Sequence, residues 1–318
     1  MTHPDPLRVI VFGAGVMGAH HVRVLRRDPD VELVAVVDPD GDRADALADG
    51  TGALGMTSWN GENVDAAIVA TPTPTHFDTA LPLLKAGIHT LIEKPIAETP
   101  DKGRQLDESA RLSGTLLMVG HVERFNPAVR YLVESGESPL DISIRRISPF
   151  PARIKDSVVL DLMIHDIDLA MLLMGGRPLA VHAAGRTFQS DDIDIAHVVL
   201  EFPHGMASLQ ASRSGQQKIR EICATYHDRF VVADLIRQDV SLTRLASVSF
   251  ESTRGQALQQ SGYVEVPFLS SRGESLANEH AAFFNAIRSG SATPCGAEDA
   301  IAALEVAGTI ERACLSGA

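Results

Sequence analysis

A strand, a glycine-rich turn and a helix follow one another at the start of the chain, and this order constrains the fold more than any other feature. The apolar run Leu7–Phe12 predicts a buried strand, and the pattern that ends at Leu25 predicts a helix. In such a turn the first glycine permits the sharp bend, the second admits a pyrophosphate to the backbone, and the third lets the helix lie close to the sheet. The cofactor-binding candidates in the turn are Gly13, Gly15, Val16, Met17 and Gly18.

A second β-rich run, Val31–Val37, ends at Asp38, which lies 20 residues after Gly18. A carboxylate at this spacing accepts hydrogen bonds from the ribose diol of an adenosine, and it repels a 2′-phosphate. The sequence therefore predicts NAD rather than NADP as the cofactor.

The third predicted strand, Asp65–Ala70, ends in a loop rich in threonine and proline that reaches His76. Hydroxyls and backbone amides in such a loop can line a cofactor at the edge of the sheet, so Thr71, Pro72 and Thr73 are further candidates. His76 either touches the nicotinamide ribose or caps the helix that follows it.

The next strand, Ile88–Ile92, ends in Glu93-Lys94-Pro95. Because proline cannot continue a central strand, Lys94 is delivered to the carboxyl end of the sheet, where open α/β folds place their ligands. Taken alone, Glu93-Lys94-Pro95 would indicate an ion pair at a sharp turn where the strand ends. Within a sheet that binds a cofactor, Lys94 is a candidate active-site residue. A helix at Pro100–Ser113 and a strand at Thr115–Val119 follow, and the alternation predicts a doubly wound parallel sheet of the α/β class.

The second half of the chain changes to half-polar strands with a period of two, which predict an antiparallel sheet with one covered face. These strands are Asp141–Ile147, Val181–Phe188, Asp194–Phe202 and Met206–Arg213, with shorter ones between Lys218 and Val266. We therefore predict a Rossmann domain at residues 1–120 and an α+β domain with a largely antiparallel open sheet at residues 121–318.

One predicted helix, Val158–Met174, interrupts these strands and is strongly apolar. Asp161, His165 and Asp168 stand at positions i, i+4 and i+7, which share one helix face. On a solvated helix this would be an ordinary salt-bridged stripe, but on so apolar a helix we expect it to line a cleft.

Composition excludes several classes of function. The formal net charge of −13 disfavours binding to nucleic acids and anionic membranes. The three cysteines are odd in number and widely spaced, which indicates neither a disulfide framework nor a metal site. Without a signal peptide or an apolar run of membrane-spanning length, a cytoplasmic setting is expected.

The ordered motifs resemble the Gfo/Idh/MocA family, named for glucose-fructose oxidoreductase and inositol dehydrogenase. They are the glycine turn, the acidic residue after the second strand, the Thr-Pro…His loop and the Glu-Lys-Pro strand exit. The resemblance implies a cis Lys94–Pro95 bond, a Lys94 beside the nicotinamide and the reacting hydroxyl, and Glu93 and Arg124 in the cofactor site. The segment after Val119 resembles the family's interdomain linker, which implies substrate contacts from His121, Glu123, Arg124, Phe125 and Asn126.

The pattern Asp161-x-x-x-His165-Asp-x-Asp168 resembles the family's catalytic helix. Oxidation of a secondary alcohol needs a base for the hydroxyl proton while hydride leaves for the nicotinamide. A histidine with a pKa of about 6.5 suits this near neutral pH, whereas an unperturbed lysine stays protonated. We therefore expect His165 to be the base, oriented by Asp161, with Lys94 holding the oxygen; Lys94 as the base remains the alternative.

The substrate class is predicted from the loop that precedes this helix. Arg153 and Lys155 are two cations in a proline-rich segment of an acidic chain, and they can bind a phosphate. Together with the linker, this block resembles the UDP-N-acetylglucosamine 3-dehydrogenases of the family, which implies a nucleotide-sugar substrate. A dehydrogenase of inositol or another free polyol is the runner-up, and a cofactor-binding sensor without turnover is the alternative of a different class.

The resemblance also implies an assembly. It suggests that the helices within residues 275–318 pack back near the first domain. It further suggests that the open sheet of the second domain forms the interface of a homo-oligomer, a dimer or a tetramer.

Overall fold

The computed structural model describes residues 5–59, 61, 63–150, 156–252, 255–269 and 273–316. The chain divides into two compact units. The first consists of the residues up to 125 together with 274–305, and the second consists of residues 126–273 together with the chain from 306 onward.

The first unit contains a sheet of six parallel strands, as the sequence predicts. They are β1 (Leu7–Phe12), β2 (Val31–Val37), β3 (Leu54–Met56), β4 (Ala66–Val69), β5 (His89–Glu93) and β6 (Leu117–Gly120). Their spatial order is β3-β2-β1-β4-β5-β6. The two central strands β1 and β4 are buried almost throughout, because helices cover both faces of such a sheet. The doubly wound α/β fold is therefore confirmed.

The helices begin and end at residues with the usual capping features. They are α1 (Val16–Leu25), α2 (Gly41–Ala48), α3 (His76–Lys85), α4 (Pro100–Ser113), and later α7 (Ser275–Ser289) and α8 (Ala297–Ser316). The Thr99 side chain accepts a hydrogen bond from the backbone N–H of Lys102 at 3.3 Å, Pro100 occupies the first turn, and left-handed Gly114 ends α4. Helix α7 places Phe283 and Phe284 in the core of the first unit.

The second unit contains an eight-stranded sheet. Its strands are β7 (Asp141–Ile147), β8 (Ala180–Arg186), β9 (Ile195–Phe202), β10 (Gly205–Ser212), β11 (Ile219–Thr225), β12 (Phe230–Asp234), β13 (Asp239–Ser252) and β14 (Gly255–Glu265). The order is β14-β13-β12-β11-β7-β10-β9-β8, and only β7 and β10 run parallel to each other. The largely antiparallel sheet of the prediction is confirmed.

The helices of the second unit differ from the prediction in one detail. Besides α5 (Pro127–Glu134), the unit contains the predicted helix over residues 158–174, but its first turn is a π-helix, Val159–Met163, which continues as α6 (Ile164–Met174). The i→i+5 hydrogen bonds of a π turn change the angular spacing of its residues from that of an α-helix. Among the described residues, no helix is long and apolar enough to cross a membrane.

Candidate active site

The glycine turn between β1 and α1 is shaped by two different requirements. Gly13 has a φ of +99°, and a Cβ atom there would lie 2.5 Å from the carbonyl oxygen of Ala70. A Cβ atom at Gly18 would lie 1.8 Å from the carbonyl oxygen of Gly13, so the packing of the protein itself demands both glycines. At Gly15, in contrast, a Cβ atom would meet no protein atom within 4 Å.

The open space at Gly15 fits a pyrophosphate group. Gly15 is the N-cap of α1, where no side chain caps the helix, and Val16 and Met17 beside it are exposed. The first turn of α1 therefore presents backbone N–H groups and the positive end of the helix dipole to a ligand. The turn residues predicted from sequence would hold the phosphates of NAD.

Asp38 lies at the carboxyl end of β2, next to this turn. One of its carboxylate oxygens accepts the backbone N–H of Ala14 at 2.8 Å, and the other accepts that of Asp40 at 2.9 Å. A carboxylate offers about four lone-pair positions, so these two bonds orient the group and leave it able to accept from a ribose diol.

His76 is buried between two loops at the same sheet edge. Its Nδ1 lies 2.9 Å from the carbonyl oxygen of Pro95, and its Nε2 lies 2.8 Å from that of Thr71. Burial lowers the pKa of His76 despite these contacts, so the ring is neutral and can donate to only one of the two carbonyls at a time. His76 therefore braces the two loops and does not cap α3, whose N-cap is Thr75.

Lys94 lies directly after the last residue of β5, as predicted. The Lys94–Pro95 bond is cis, and the half-buried Lys94 follows directly after the buried Glu93. The carboxylate of Glu93 accepts the backbone N–H of Lys94 at 3.2 Å. Lys94 thus stands on a backbone that is fixed by contacts on both sides, because Pro95 in turn lies against His76.

The linker residues predicted to bind cofactor or substrate are all buried. In the first unit, Arg124 donates hydrogen bonds of 2.9 Å to the carbonyl oxygen of Pro294 and to the carboxylate of Asp299. The other buried members are His121, Glu123, Phe125 and Asn126. In the second unit, Asn126 caps α5 by accepting the N–H of Ala128 and also donates to the carbonyl oxygen of Leu235. These contacts show how the linker is anchored, and its roles toward ligands stay predictions.

The candidate catalytic helix of the second unit contains an interaction that the sequence reading missed. Asp161 is partly exposed and accepts a hydrogen bond of 2.9 Å from the guanidinium of Arg213, a residue that is almost fully buried. Arg213 also donates to the carbonyl oxygen of Asp156 at 2.7 Å. It therefore joins Asp161 to the start of the helix. His165, four residues after Asp161, is partly exposed.

The three residues of the predicted polar stripe differ in exposure, and Asp161 and His165 are partly exposed. Asp168 is buried, and so is Asp166, which forms an ion pair with the buried Arg146 at 2.7 Å. Helix α6 is covered on almost every side, so only part of its polar pattern reaches a surface. Arg146 could have been found from sequence, because strand alternation puts it on the covered face of β7 with Ile142 and Ile144.

Two predicted phosphate-binding residues, Arg153 and Lys155, lie outside the described residues. Within the described ranges, no group of three or more His, Cys, Asp or Glu side chains is arranged to hold a metal ion.

Comparison with known proteins identifies the family. The profile of an oxidoreductase family with an NAD-binding Rossmann fold matches residues 7–121, and that of the Gfo/Idh/MocA C-terminal domain matches residues 145–232. The UDP-N-acetylglucosamine 3-dehydrogenase of Acidithiobacillus ferrooxidans is 32% identical over 241 residues, which are 74% of this chain and 76% of that protein. The chain belongs to the Gfo/Idh/MocA family. It is an NAD-dependent enzyme of a sugar dehydrogenase family, and the prediction of NAD is confirmed.

Two further comparisons cover nearly the whole of this Gfo/Idh/MocA protein. An inositol 2-dehydrogenase of Rhizobium meliloti is 30% identical over an alignment of 325 positions that covers 95% of this chain and 94% of that protein. A solved structure of the Acidithiobacillus ferrooxidans enzyme superposes with a TM-score of 0.89 at 28% identity, covering 98% of this chain and 99% of the other.

Proposed function

We propose that this Gfo/Idh/MocA protein oxidises the C3 hydroxyl of UDP-N-acetylglucosamine to the 3-keto sugar, with NAD as the acceptor. The observation that carries the proposal is the similarity to the Acidithiobacillus ferrooxidans enzyme of that activity, in both sequence and fold. The acidic chain otherwise repels a doubly charged diphosphate, so a local group of cations is needed at the site.

The residue roles follow from the chemistry of a secondary alcohol. NAD, when bound, supplies the acceptor for the hydride that leaves C3. His165 takes the hydroxyl proton as general base. Lys94 holds the hydroxyl oxygen and stabilises the negative charge that develops on it. The anchored Asp161 orients His165, and Lys94 as the base is the competing assignment.

The cations predicted to bind the substrate are Arg153 and Lys155. A guanidinium can form two parallel hydrogen bonds with phosphate oxygens, and an ammonium adds a point charge. These contacts would recognise the nucleotide part of the substrate, which undergoes no reaction.

The second candidate function is the oxidation of inositol or a related free polyol. The observation that favours it is the 30% identity to the Rhizobium meliloti inositol 2-dehydrogenase over almost the complete chain. A free polyol carries no phosphate, so this activity would make no use of Arg153 and Lys155.

A substrate panel distinguishes these functions. The full-length protein is mixed with NAD and with UDP-N-acetylglucosamine, free N-acetylglucosamine or myo-inositol, and reduced nicotinamide is followed by absorbance. We expect kcat/KM to be highest for the nucleotide sugar. Higher kcat/KM with myo-inositol would favour the second candidate, and NAD binding without turnover on any substrate would favour a sensor.

Variants make the test specific for the proposed roles. Lys94→Ala and His165→Ala should each lower kcat by at least about 100-fold, the usual contribution of acid–base or electrostatic catalysis. The double variant Arg153→Ala/Lys155→Ala should raise KM for the nucleotide sugar about tenfold or more and leave the KM for NAD unchanged. Lys85→Ala, which removes an exposed lysine in the last turn of α3, is the matched control and should behave as wild type.

The assembly is proposed together with the activity. The outward face of β8–β10 includes the exposed Val199 and Met206, and we infer that this face joins two or more copies of the chain. Light scattering should give the mass of a dimer or tetramer, and Val199→Glu should reduce it to that of the 34.0 kDa monomer. A monomeric wild type would exclude this interface.

A further inference from the structure

Four buried titratable side chains lie together in the first unit and have no role in the mechanism above. They come from three elements: His21 from α1, Glu93 from the end of β5, and Glu279 and His280 from α7. His21 and Glu279 are fully buried, and His280 is 2% exposed. Such a concentration of ionisable groups in a protein interior needs a physical explanation.

Three of these groups form a continuous chain of hydrogen bonds. The Nε2 atom of His280 lies 2.8 Å from the Nδ1 atom of His21, the ring centroids are 5.1 Å apart, and the ring planes differ by 13°. The Nε2 atom of His21 lies 3.0 Å from one carboxylate oxygen of Glu93. The other carboxylate oxygen accepts the backbone N–H of Lys94 at 3.2 Å.

Hydrogen-bonding rules determine the direction of this chain. An ionised Glu93 only accepts, so His21 must donate to it from Nε2. The remaining bond runs from the Nε2 atom of His280 to the Nδ1 atom of His21. This leaves the Nδ1 of His280 without a proton, in agreement with the absence of a hydrogen-bond partner for that atom within the described part of the chain. The reverse direction would bury an N–H donor there with no acceptor.

The electrostatics agree with a single negative charge at Glu93. Burial alone would raise the pKa of Glu93, but the hydrogen bond from His21 and the charge of Lys94 lower it overall. Burial and the neighbouring Glu93 raise the pKa of Glu279 well above its usual value, and neither of its carboxyl oxygens has a hydrogen-bond partner among the described residues. Burial, followed by the proximity of His21, lowers the pKa of His280. Glu279 is therefore protonated, and His280 is neutral.

The position of Glu93 is fixed from a further side. Glu93 pairs in register with Gly120 of β6, and a Cβ atom at Gly120 would lie 3.3 Å from the carboxylate carbon and from both oxygens. The carboxylate therefore rests against the bare backbone of β6 while His21 holds it from α1. A larger residue at 120 would have to displace it.

We propose that His21 and His280 are positioning residues for the reaction: their one-way chain of hydrogen bonds holds the Glu93 carboxylate, and that carboxylate holds the backbone of Lys94. The inference rests on the proposed function, in which Lys94 binds the reacting hydroxyl. The titratable and charged groups that face the chain are Lys94 after β5, His76 from α3 and Glu279 from α7.

The kinetic test uses two substitutions at His280 in the full-length enzyme. His280→Phe keeps a ring beside Phe284 and removes the donor, whereas His280→Gln places an amide donor where Nε2 stood. With the Phe variant, kcat should fall about tenfold at an unchanged KM for NAD. The number of active sites, counted by NAD binding, should stay at the wild-type value, so that the loss lies in kcat per active site. The Gln variant should restore kcat.

A merely structural role would lower the melting temperature or the fraction of active sites and leave kcat per active site unchanged. Wild-type kcat per active site in the Phe variant would overturn the proposal. So would a lowered kcat that the Gln variant fails to restore.

A second measurement needs no variant and no substrate. Nitrogen-15 NMR of the histidine rings in the wild-type chain should show, for both His21 and His280, a proton on Nε2 and none on Nδ1 at neutral pH. A proton on Nδ1 of His280 would overturn the chain even if the enzyme turns over normally. Failure of the wild type to oxidise any sugar would instead defeat the proposed function, and the spectrum would then decide on the hydrogen-bond chain alone.

Discussion

Replacing Gly15 by alanine should separate the binding of NAD from the stability of the fold. The backbone at Gly15 has φ −81° and ψ −165°, an extended conformation that alanine adopts without strain. Because no protein atom lies within 4 Å of the added methyl group, nothing in the folded chain has to move. The methyl group would occupy the space through which a pyrophosphate approaches the backbone.

The magnitudes follow from these two facts. Without ligand, Gly15→Ala should change the free energy of unfolding by less than about 1 kcal/mol, because the smaller conformational freedom of alanine in the unfolded chain is offset by its poorer fit to an N-cap. With NAD at 100 times its dissociation constant, the wild type gains about 2.7 kcal/mol from binding. If the methyl group weakens binding about 100-fold, the same NAD concentration adds only about 0.4 kcal/mol to the variant.

Thermal unfolding with and without NAD, together with calorimetric titration, measures both quantities. Gly18→Ala provides the opposite case, since its Cβ atom would collide with the carbonyl oxygen of Gly13 at 1.8 Å and should destabilise the chain even without ligand. Gly262→Ala adds a methyl group at ordinary contact distances in β14, so it should leave NAD binding unchanged and show the unfolded-chain effect alone, a gain of about 0.4–1 kcal/mol. A Gly15→Ala protein that binds NAD as tightly as the wild type would refute the assignment of this space to the pyrophosphate.

Three further predictions concern buried charges. Since the pKa of Glu279 is raised in the folded chain, the wild type should lose about 1.4 kcal/mol of stability per pH unit above the usual value near 4.5, until the folded carboxyl ionises. The stability of Glu279→Gln relative to wild type should therefore rise with pH in chemical denaturation, and a constant difference would contradict a protonated Glu279. Burial alone would raise the pKa of Asp194, but hydrogen bonds from the 188–190 loop lower it from 3.8 to about 2. The ionised Asp194 therefore stabilises the folded chain above pH 3.8, and this contribution is lost as the pH falls through about 2. Asp194→Asn should lower the free energy of unfolding by about 2 kcal/mol at neutral pH, and the two proteins should become equally stable as the pH falls below about 2. If both proteins lose the same amount of stability on acidification, this prediction is wrong. Arg213→Met should lower kcat more than Arg213→Lys, which can still donate to Asp161, and equal kcat values in the two would show that the ion pair does not support catalysis.

The sequence by itself determined the parts of the protein that local rules control. Strand periodicity, the glycine spacing, Asp38 after β2 and the proline that ends β5 each act within a few residues, and the structure has them where the sequence predicts. The glycine spacing also predicts that Gly13 and Gly18 serve the packing of the chain and that Gly15 leaves room for a ligand. The structure adds the distances.

Only the tertiary structure decided which distant groups meet. His21 and His280 are 259 positions apart in the chain, and Arg213 reaches Asp161 from 52 positions away. No local pattern marks such pairs, because a buried histidine or arginine looks like a surface residue until the packing of its element is known. The π turn at Val159–Met163 was likewise not predicted from the sequence, whose apolar pattern is that of an ordinary helix.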